Sequence, residues 1–234
     1  MKKIENEIDA LVLLRKVPLL SVLDDTDLKP IAEKIVIRKY KKNEVFIHQD
    51  IENQYMYMVI SGTLKVNITN SDGKDVTLAI RTTGEHFGEL SLIDDITTVA
   101  TVRALEDSAV AILFKNDFLT LINSHPKFLY CVMTELCSKV REANDLIERL
   151  TYNKAHQRVT LLFLKLVSKF DIHAADGITL DIQLTHQDIA DMTGLLRETV
   201  THVIDKWRNE GLISYVGKKY YHLTQNFFEK DFIL

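Results

Sequence analysis

Apolar positions change their period three times along the chain, and each change predicts a different kind of structure. In the stretch up to about Lys34, Leu19, Leu20, Val22, Leu23, Leu28 and Ile31 are spaced for helices, and Asp24-Asp25-Thr26-Asp27 supplies a helix-start signal ahead of Leu28. From Ile35 to Phe114 the period becomes two. Val45–Ile47, Tyr55–Ile60, Leu64–Ile68, Val76–Ile80, Val99–Val102 and Val110–Phe114 read as short strands. Ser61-Gly62, Ser71-Asp72-Gly73, Thr83-Gly84 and Glu106-Asp107-Ser108 read as the turns between them. Many short strands at near-even spacing predict a sandwich or jelly roll.

Helical spacing returns at Asn116 and Asp117, and Pro126 opens a long helix. Along it Leu129, Met133, Leu136, Val140, Ala143, Ile147 and Leu150 alternate steps of four and three, a heptad seam of the kind that pairs two parallel helices. A stripe covering the β region is the alternative; its run past three heptads favours pairing. Beyond Tyr152 a helix over Val159–Val167, a turn at Asp176-Gly177 and a strand at Ile178–Ile182 follow. The expected organisation is a sandwich or jelly-roll domain with an opening helix (1–125), a dimerisation helix (126–153) and a helical C-terminal domain with a small β tail (154–234).

The segment from Leu184 to Leu223 carries the most chemistry. Thr185 and Asp188 form a capping-box-like start, Ile189, Ala190 and Met192 give a short helix an apolar side, and Gly194 stands where a tight turn needs positive φ. A second helix from about Leu196 to Glu210 ends at Gly211. Val200, Val203, Ile204 and Trp207 follow its inward face, which leaves Arg197, Glu198, Thr201, Asp205 and Arg208 outward and His202 at the flank. Ile213–Val216 and Tyr220–Leu223 can pair as a hairpin around Gly217-Lys218-Lys219, a basic wing. Together these make a winged helix-turn-helix. Arginine at the start of such a helix can donate two hydrogen bonds to guanine, and a neighbouring glutamate can accept from cytosine. Gln187, Thr199, Lys218 and Lys219 are candidate phosphate contacts, with Thr185 and His186 beside them at the start of the first helix.

Composition narrows the rest. With 234 residues, 46% hydrophobic and 26% charged, the chain can bury one large or two small cores. A net charge of −4 excludes coating nucleic acid by bulk charge and leaves room for a local basic patch. Two cysteines, Cys131 and Cys137, cannot build a disulfide framework or hold an iron–sulfur cluster, and they read as small buried hydrophobes. No apolar run approaches the roughly 20 residues of a membrane span. MKKIENEIDALVLL mixes acids into its apolar stretch and makes a poor signal peptide, so a cytoplasmic protein is expected.

An enzyme is not expected. Jelly-roll dioxygenases and isomerases need several histidines and a carboxylate converging inside the barrel, whereas the β region holds only His48 and His86, with Glu85 beside the latter. Nucleophilic triads, P-loops and dinucleotide glycine motifs are likewise not recognisable. The competing non-enzymatic reading is a β-roll that binds a small molecule or cyclic nucleotide and acts through protein partners, with the winged helix as a docking surface.

Five segments, in order, resemble the Crp-Fnr family of bacterial transcription regulators, the catabolite activator and its relatives. VPLLSVLDDTDLKPIAEKIVIRKYKKNEVFIHQD resembles the family's opening, YMYMVISGTLKV its glycine hairpin, and GEHFGELSLIDD its phosphate-binding cassette. ATVRALEDSAVAIL is similar to the strands after the cassette, and LTHQDIADMTGLLRETVTHVIDKWRNEGLI to the DNA-reading motif. The resemblance implies an α+β chain: an N-terminal double-stranded β-helix (jelly-roll, cyclic-nucleotide-binding-like) domain, a long dimerisation helix and a C-terminal winged helix-turn-helix. It implies a homodimer that reads an inverted repeat with half-sites ~34 Å apart, with a hinge near Thr151-Tyr152-Asn153 orienting each winged helix. Arg197 and Glu198 match the family's base-reading pair. His202 replaces a second base-reading arginine, so the half-site should differ from the family's at that base pair.

The effector site departs from the pattern. Gly88, Glu89 and Leu90 keep the cassette's Gly-Glu-Leu, but Thr98 and Val99 stand where cyclic-nucleotide members carry Arg-Ser, and Ala143 and Asn144 where the long helix contacts the base. A buried phosphate without its cation is strongly disfavoured, so cyclic AMP is not expected to be the effector. No cofactor is expected: haem would need His48 or His86 as an axial ligand, and both read as surface or turn histidines. Double-stranded DNA, a second copy of the chain, RNA polymerase and an unidentified small molecule are the candidate partners, with no membrane among them.

Overall fold

The computed structural model describes residues 7–217 and 220–230, which fall into two compact units, Met1–Glu142 and Ala143–Leu234. Both share one long helix, whose residues pass from the first unit to the second between Glu142 and Ala143.

In the first unit, α1 (Glu7–Leu14), a 3-10 turn at Pro18–Leu20 and α2 (Asp25–Lys34) precede the strands. Asp24 caps α2 by accepting a hydrogen bond from the Asp27 amide, as its acidic start predicts. The strands are β1 (Val36–Tyr40), β2 (Val45–Ile47), β3 (Tyr55–Ser61), β4 (Thr63–Thr69), β5 (Asp75–Thr82), β6 (His86–Phe87), β7 (Thr101–Ala104) and β8 (Ser108–Phe114), with the short α3 (Glu89–Ile93) between β6 and β7. They form two antiparallel four-stranded sheets, β1-β8-β3-β6 and β2-β7-β4-β5, the jelly roll that the period-two runs predict. Tyr57 and Val59 of β3, Val110 and Ile112 of β8, Leu64 of β4 and Val102 of β7 fill the space between the sheets. Met56, Met58 and Ile60 of β3 point the other way and pack with Leu28, Ile31, Phe118 and Phe128 of the surrounding helices. Both faces of β3 are therefore buried, which explains its uninterrupted apolar run.

Three strands of this unit differ from expectation, and β1 (Val36–Tyr40) is not among the expected runs. The run expected at Val99–Val102 is paired only from Thr101, because Thr98 is bound into the preceding loop: its amide donates to the Ile51 carbonyl (2.9 Å) and its hydroxyl to the His48 carbonyl (2.6 Å). The two-residue β6 is too short to carry a period. After β8 come α4 (Lys115–Ser124) and the 26-residue α5 (Pro126–Thr151), which starts at Pro126 as predicted.

The second unit contains the end of α5, α6 (Ala155–Phe170), β9 (Asp171–Ala174), β10 (Gly177–Leu180), α7 (His186–Thr193), α8 (Arg197–Asn209), β11 (Ile213–Val216), β12 (Tyr220–Thr224) and α9 (Gln225–Glu229). Its sheet runs β11-β12-β10-β9. Phe163, Trp207, Tyr221 and Phe227 meet edge-on and tilted with centroids 5.2–6.4 Å apart. Each of these buried rings contributes roughly 2–3 kcal/mol, so this small core rests on aromatic area.

Candidate nucleic-acid interface and effector cassette

Helix α7 begins with a complete capping box: the Thr185 hydroxyl accepts from the Asp188 amide, and the Asp188 carboxylate accepts from the Thr185 amide. Its end is Gly194 at φ +66°, the positive value the turn requires, and a Cβ there would lie 2.9 Å from Leu150 Cδ2. Two arginines hold that end. Arg149 Nη2 donates to the Met192 carbonyl (3.3 Å), and Arg158 Nη1 donates to the Thr193 carbonyl (3.3 Å) while its Nε reaches the Tyr152 carbonyl (2.6 Å). They answer carbonyls that a helix end leaves unpaired, and they fasten the last turn of α5 and the start of α6 to α7.

Helix α8 then presents the predicted reading face. Val200, Ile204 and Trp207 are buried, whereas Arg197, Glu198 and His202 are exposed and Thr199 and Thr201 half-exposed. The N-cap, Leu196, offers no side-chain hydrogen bond, which leaves the first amides of α8 open to solvent or an anion. Arg197 and Glu198 thus occupy the first turn, facing outward.

Several of the other predicted contacts are engaged within the protein. The Thr185 hydroxyl belongs to its cap, and Gln187 Nε2 donates to Asp191 Oδ1 (2.7 Å). His186 Nδ1 lies 2.8 Å from Thr201 Oγ1, and Thr201 in turn donates to the Arg197 carbonyl (3.0 Å). The hairpin β11–β12 forms as expected, with Gly217 at its turn; Lys218 and Lys219 lie outside the described residues.

The cassette is the second constellation. Gly88 caps α3 at φ +91°, and a Cβ there would meet the Tyr55 carbonyl at 2.8 Å and Tyr57 Cδ2 at 2.9 Å. Glu89 follows, 2% exposed, with Oε1 2.7 Å from Lys139 Nζ of α5; Lys139 also donates to the His86 carbonyl (3.2 Å). Burial pushes the Glu89 carboxyl up, and the opposing groups, the Lys139 ammonium foremost, more than reverse this, so it sits below the usual carboxylate range. Burial, aided by Lys139, lowers His86 to about 4 and keeps it neutral. Beside them Arg81 bridges Glu85 (3.1 Å) and Glu142 (2.9 Å). Leu90 and Val99 are exposed and Thr98 is committed to its loop; Asn144 is exposed on α5. Lys139 is not legible from the sequence, since a lone lysine on a long amphipathic helix has no motif. His48 is exposed, and among the described residues no three His, Cys, Asp or Glu side chains gather as a metal site.

On α5 the heptad positions divide. Met133, Val140, Ala143 and Ile147 are exposed, Val140 and Ile147 by about 60%; Leu129 and Leu150 are half-buried, and Leu136 packs partly against the helical core. The helix instead buries Phe128 and Val132 in the first unit and Leu146 in the second. Cys131 is half-buried and Cys137 exposed, so the reading of both as buried hydrophobes fails at Cys137.

A jelly roll with a glycine-capped cassette, a long helix and a winged helix-turn-helix define a transcription regulator. Comparison with known proteins agrees. Residues 37–125 match the cyclic nucleotide-binding domain family, and residues 157–225 match the Crp-like helix-turn-helix domain family. The cyclic AMP receptor protein of Thermus thermophilus is 31% identical over 176 residues, covering 75% of this chain and 78% of that one. The anaerobic regulatory protein of Bacillus subtilis is 26% identical over 83% of this chain and 82% of its own. Among solved structures, the c-di-GMP responsive global regulator CLP of Xanthomonas campestris matches with a TM-score of 0.74 at 20% identity, over 86% of this chain and all of that one. The chain belongs to the Crp-Fnr family of transcription regulators and carries its DNA-binding helix-turn-helix. No helix among the described residues is long and apolar enough to cross a membrane.

Proposed function

We propose that this regulator acts in the cytoplasm, without catalysis, as a homodimer that reads an inverted repeat through Arg197 and Glu198 and does not use cyclic AMP. The observation that carries the DNA assignment is the outward Arg197-Glu198 pair in the first turn of α8, on a helix whose opposite face is buried. Arginine there suits the O6 and N7 acceptors of guanine, and Glu198 suits the cytosine amino group. His202 stands one turn further, exposed, with Thr199, Gln187, Lys218 and Lys219 as backbone contacts.

Pairing of two copies along α5 is supported by the exposure of Met133, Val140 and Ile147, apolar side chains that a second helix would cover. Independence from cyclic AMP is supported by the cassette: neither Thr98 nor Val99 carries charge, and the Lys139 ammonium is already paired with Glu89. RNA polymerase and a small molecule other than cyclic AMP are the further partners this reading admits; Leu90 and Val99 would offer such a ligand an apolar rim.

The test is selection from random duplex DNA with the purified protein, without nucleotide and again with cyclic AMP. The reading expects a two-fold symmetric site enriched equally in both. Enrichment only with cyclic AMP, or of an asymmetric half-site, would overturn the corresponding part.

A further inference from the structure

On the face assigned to DNA, one histidine turns both ring nitrogens inward. His186, in the first turn of α7, sets Nδ1 2.8 Å from Thr201 Oγ1 of α8 and Nε2 3.5 Å from Tyr215 Oη of β11. Thr201 has a single hydroxyl proton and spends it on the Arg197 carbonyl (3.0 Å). Its oxygen must then accept, so Nδ1 of His186 carries the hydrogen and Nε2 faces the tyrosine hydroxyl with its lone pair.

Burial holds the His186 imidazole below its usual range; Arg197 and Arg208 push the same way and Asp205 opposes them, so the ring is neutral at pH 7 and the tautomer is defined. On its own helix the nearby Asp188 is occupied by the cap, and on β11 the facing group is Tyr215. Tyr215 is itself held: the Arg208 guanidinium lies 5.1 Å from its ring centroid, and the Tyr221 ring is 5.1 Å away. One imidazole thus ties the first turn of α7, the wing strand β11 and the first turn of the recognition helix, ending on the backbone of the base-reading residue itself.

We infer that His186 is a positioning residue for DNA reading: through Thr201 it fixes the rotation of the first turn of α8, and with it the direction in which Arg197 and Glu198 point. This rests on the DNA-reading assignment of that face and extends it to a residue that sequence alone places among direct contacts. A side chain that only touched phosphate would strengthen binding to every duplex alike, whereas one that aims Arg197 changes the preference for the right sequence over the wrong one. An error of about 1 Å in the arginine's placement is enough to lose its paired hydrogen bonds.

The experiment measures, at one salt concentration, the ratio of affinities for the selected duplex and a scrambled one, in the full-length protein. The variants are His186→Ala, His186→Asn, Thr201→Val, the double His186→Ala/Thr201→Val, and Arg197→Ala as reference. Fluorescence of Trp207, the chain's single tryptophan and part of the core beneath α8, verifies that each variant is folded. His186→Ala and Thr201→Val are each expected to lower the ratio about tenfold, and the double by no more than about threefold beyond either single, because both break the same link. His186→Asn, whose amide hydrogen can stand where Nδ1–H stands, should restore the ratio to within about threefold of the parent. Additive losses, an unchanged ratio in His186→Ala, or equal damage from His186→Asn and His186→Ala would overturn the inference. Loss in Arg197→Ala but not in His186→Ala would remove the positioning role alone; no loss in Arg197→Ala would remove the DNA assignment of the face.

Discussion

Lys139 of the long helix reaches Glu89 of the cassette, Nζ to Oε1 at 2.7 Å, and the carboxylate it meets is almost wholly buried. The second oxygen of Glu89 has no hydrogen-bond partner among the described residues, and Lys139 is the largest group that compensates the charge. Long helix and jelly roll are joined here by a charge pair. Lys139→Met is therefore expected to cost about 3–5 kcal/mol of stability in the first unit, since it strands a buried carboxylate. The double variant Lys139→Met/Glu89→Gln should regain most of it. Amide hydrogen exchange of β3 and β8 in the intact protein reads the effect; additive losses would mean that the two groups do not act as a pair.

His86 makes the same unit acid-sensitive. Its folded pKa of about 4 lies below the ordinary 6.5, so the unfolded chain takes up a proton between these values and the folded one does not. The associated stability, about 3 kcal/mol, is fully present above pH 6.5 and is lost as pH falls towards 4. Glu89, also held below its usual range, extends the loss to lower pH. Replacing His86 with Gln should flatten the dependence of β3 exchange between pH 6.5 and 4; an unchanged slope would assign it to other groups.

Val140 and Ile147, exposed on α5 one heptad apart, carry the dimer prediction. Val140→Glu places a charge in the middle of the seam and should convert a dimer to a monomer at micromolar concentration in analytical sedimentation, with the second unit still folded. A parent protein that sediments as a monomer would contradict the pairing outright.

What the sequence revealed depended on how much of the signal was local. The Thr185–Asp188 cap, the Gly194 turn and the inward face of α8 are each written within a few residues, and all three are observed. Strand β3 was legible as apolar although it does not alternate, because it is covered on both faces. Edge strand β9 has four exposed residues, and β1, also at an edge, alternates poorly; neither stands out from loop sequence. Contacts across chain separations were not legible: Lys139 with Glu89 and Arg158 with the end of α7 join residues that no motif links, and His186 and Thr201 share one motif whose pattern does not show their bond. Thr98 was read from its place in a family pattern, and its hydroxyl serves the loop at His48 and Ile51.

The most direct test of the account concerns Arg197 and Glu198. Equilibrium binding of Arg197→Ala and Glu198→Gln should be measured against the selected duplex and against the same duplex with only the base pair under each residue changed. The account predicts that each variant loses roughly 10- to 100-fold of affinity for the selected duplex and no longer distinguishes its own base pair, while binding to scrambled DNA changes little. Variants that discriminate as well as the parent would contradict it, and the outward pair on α8 would then not be what reads the sequence.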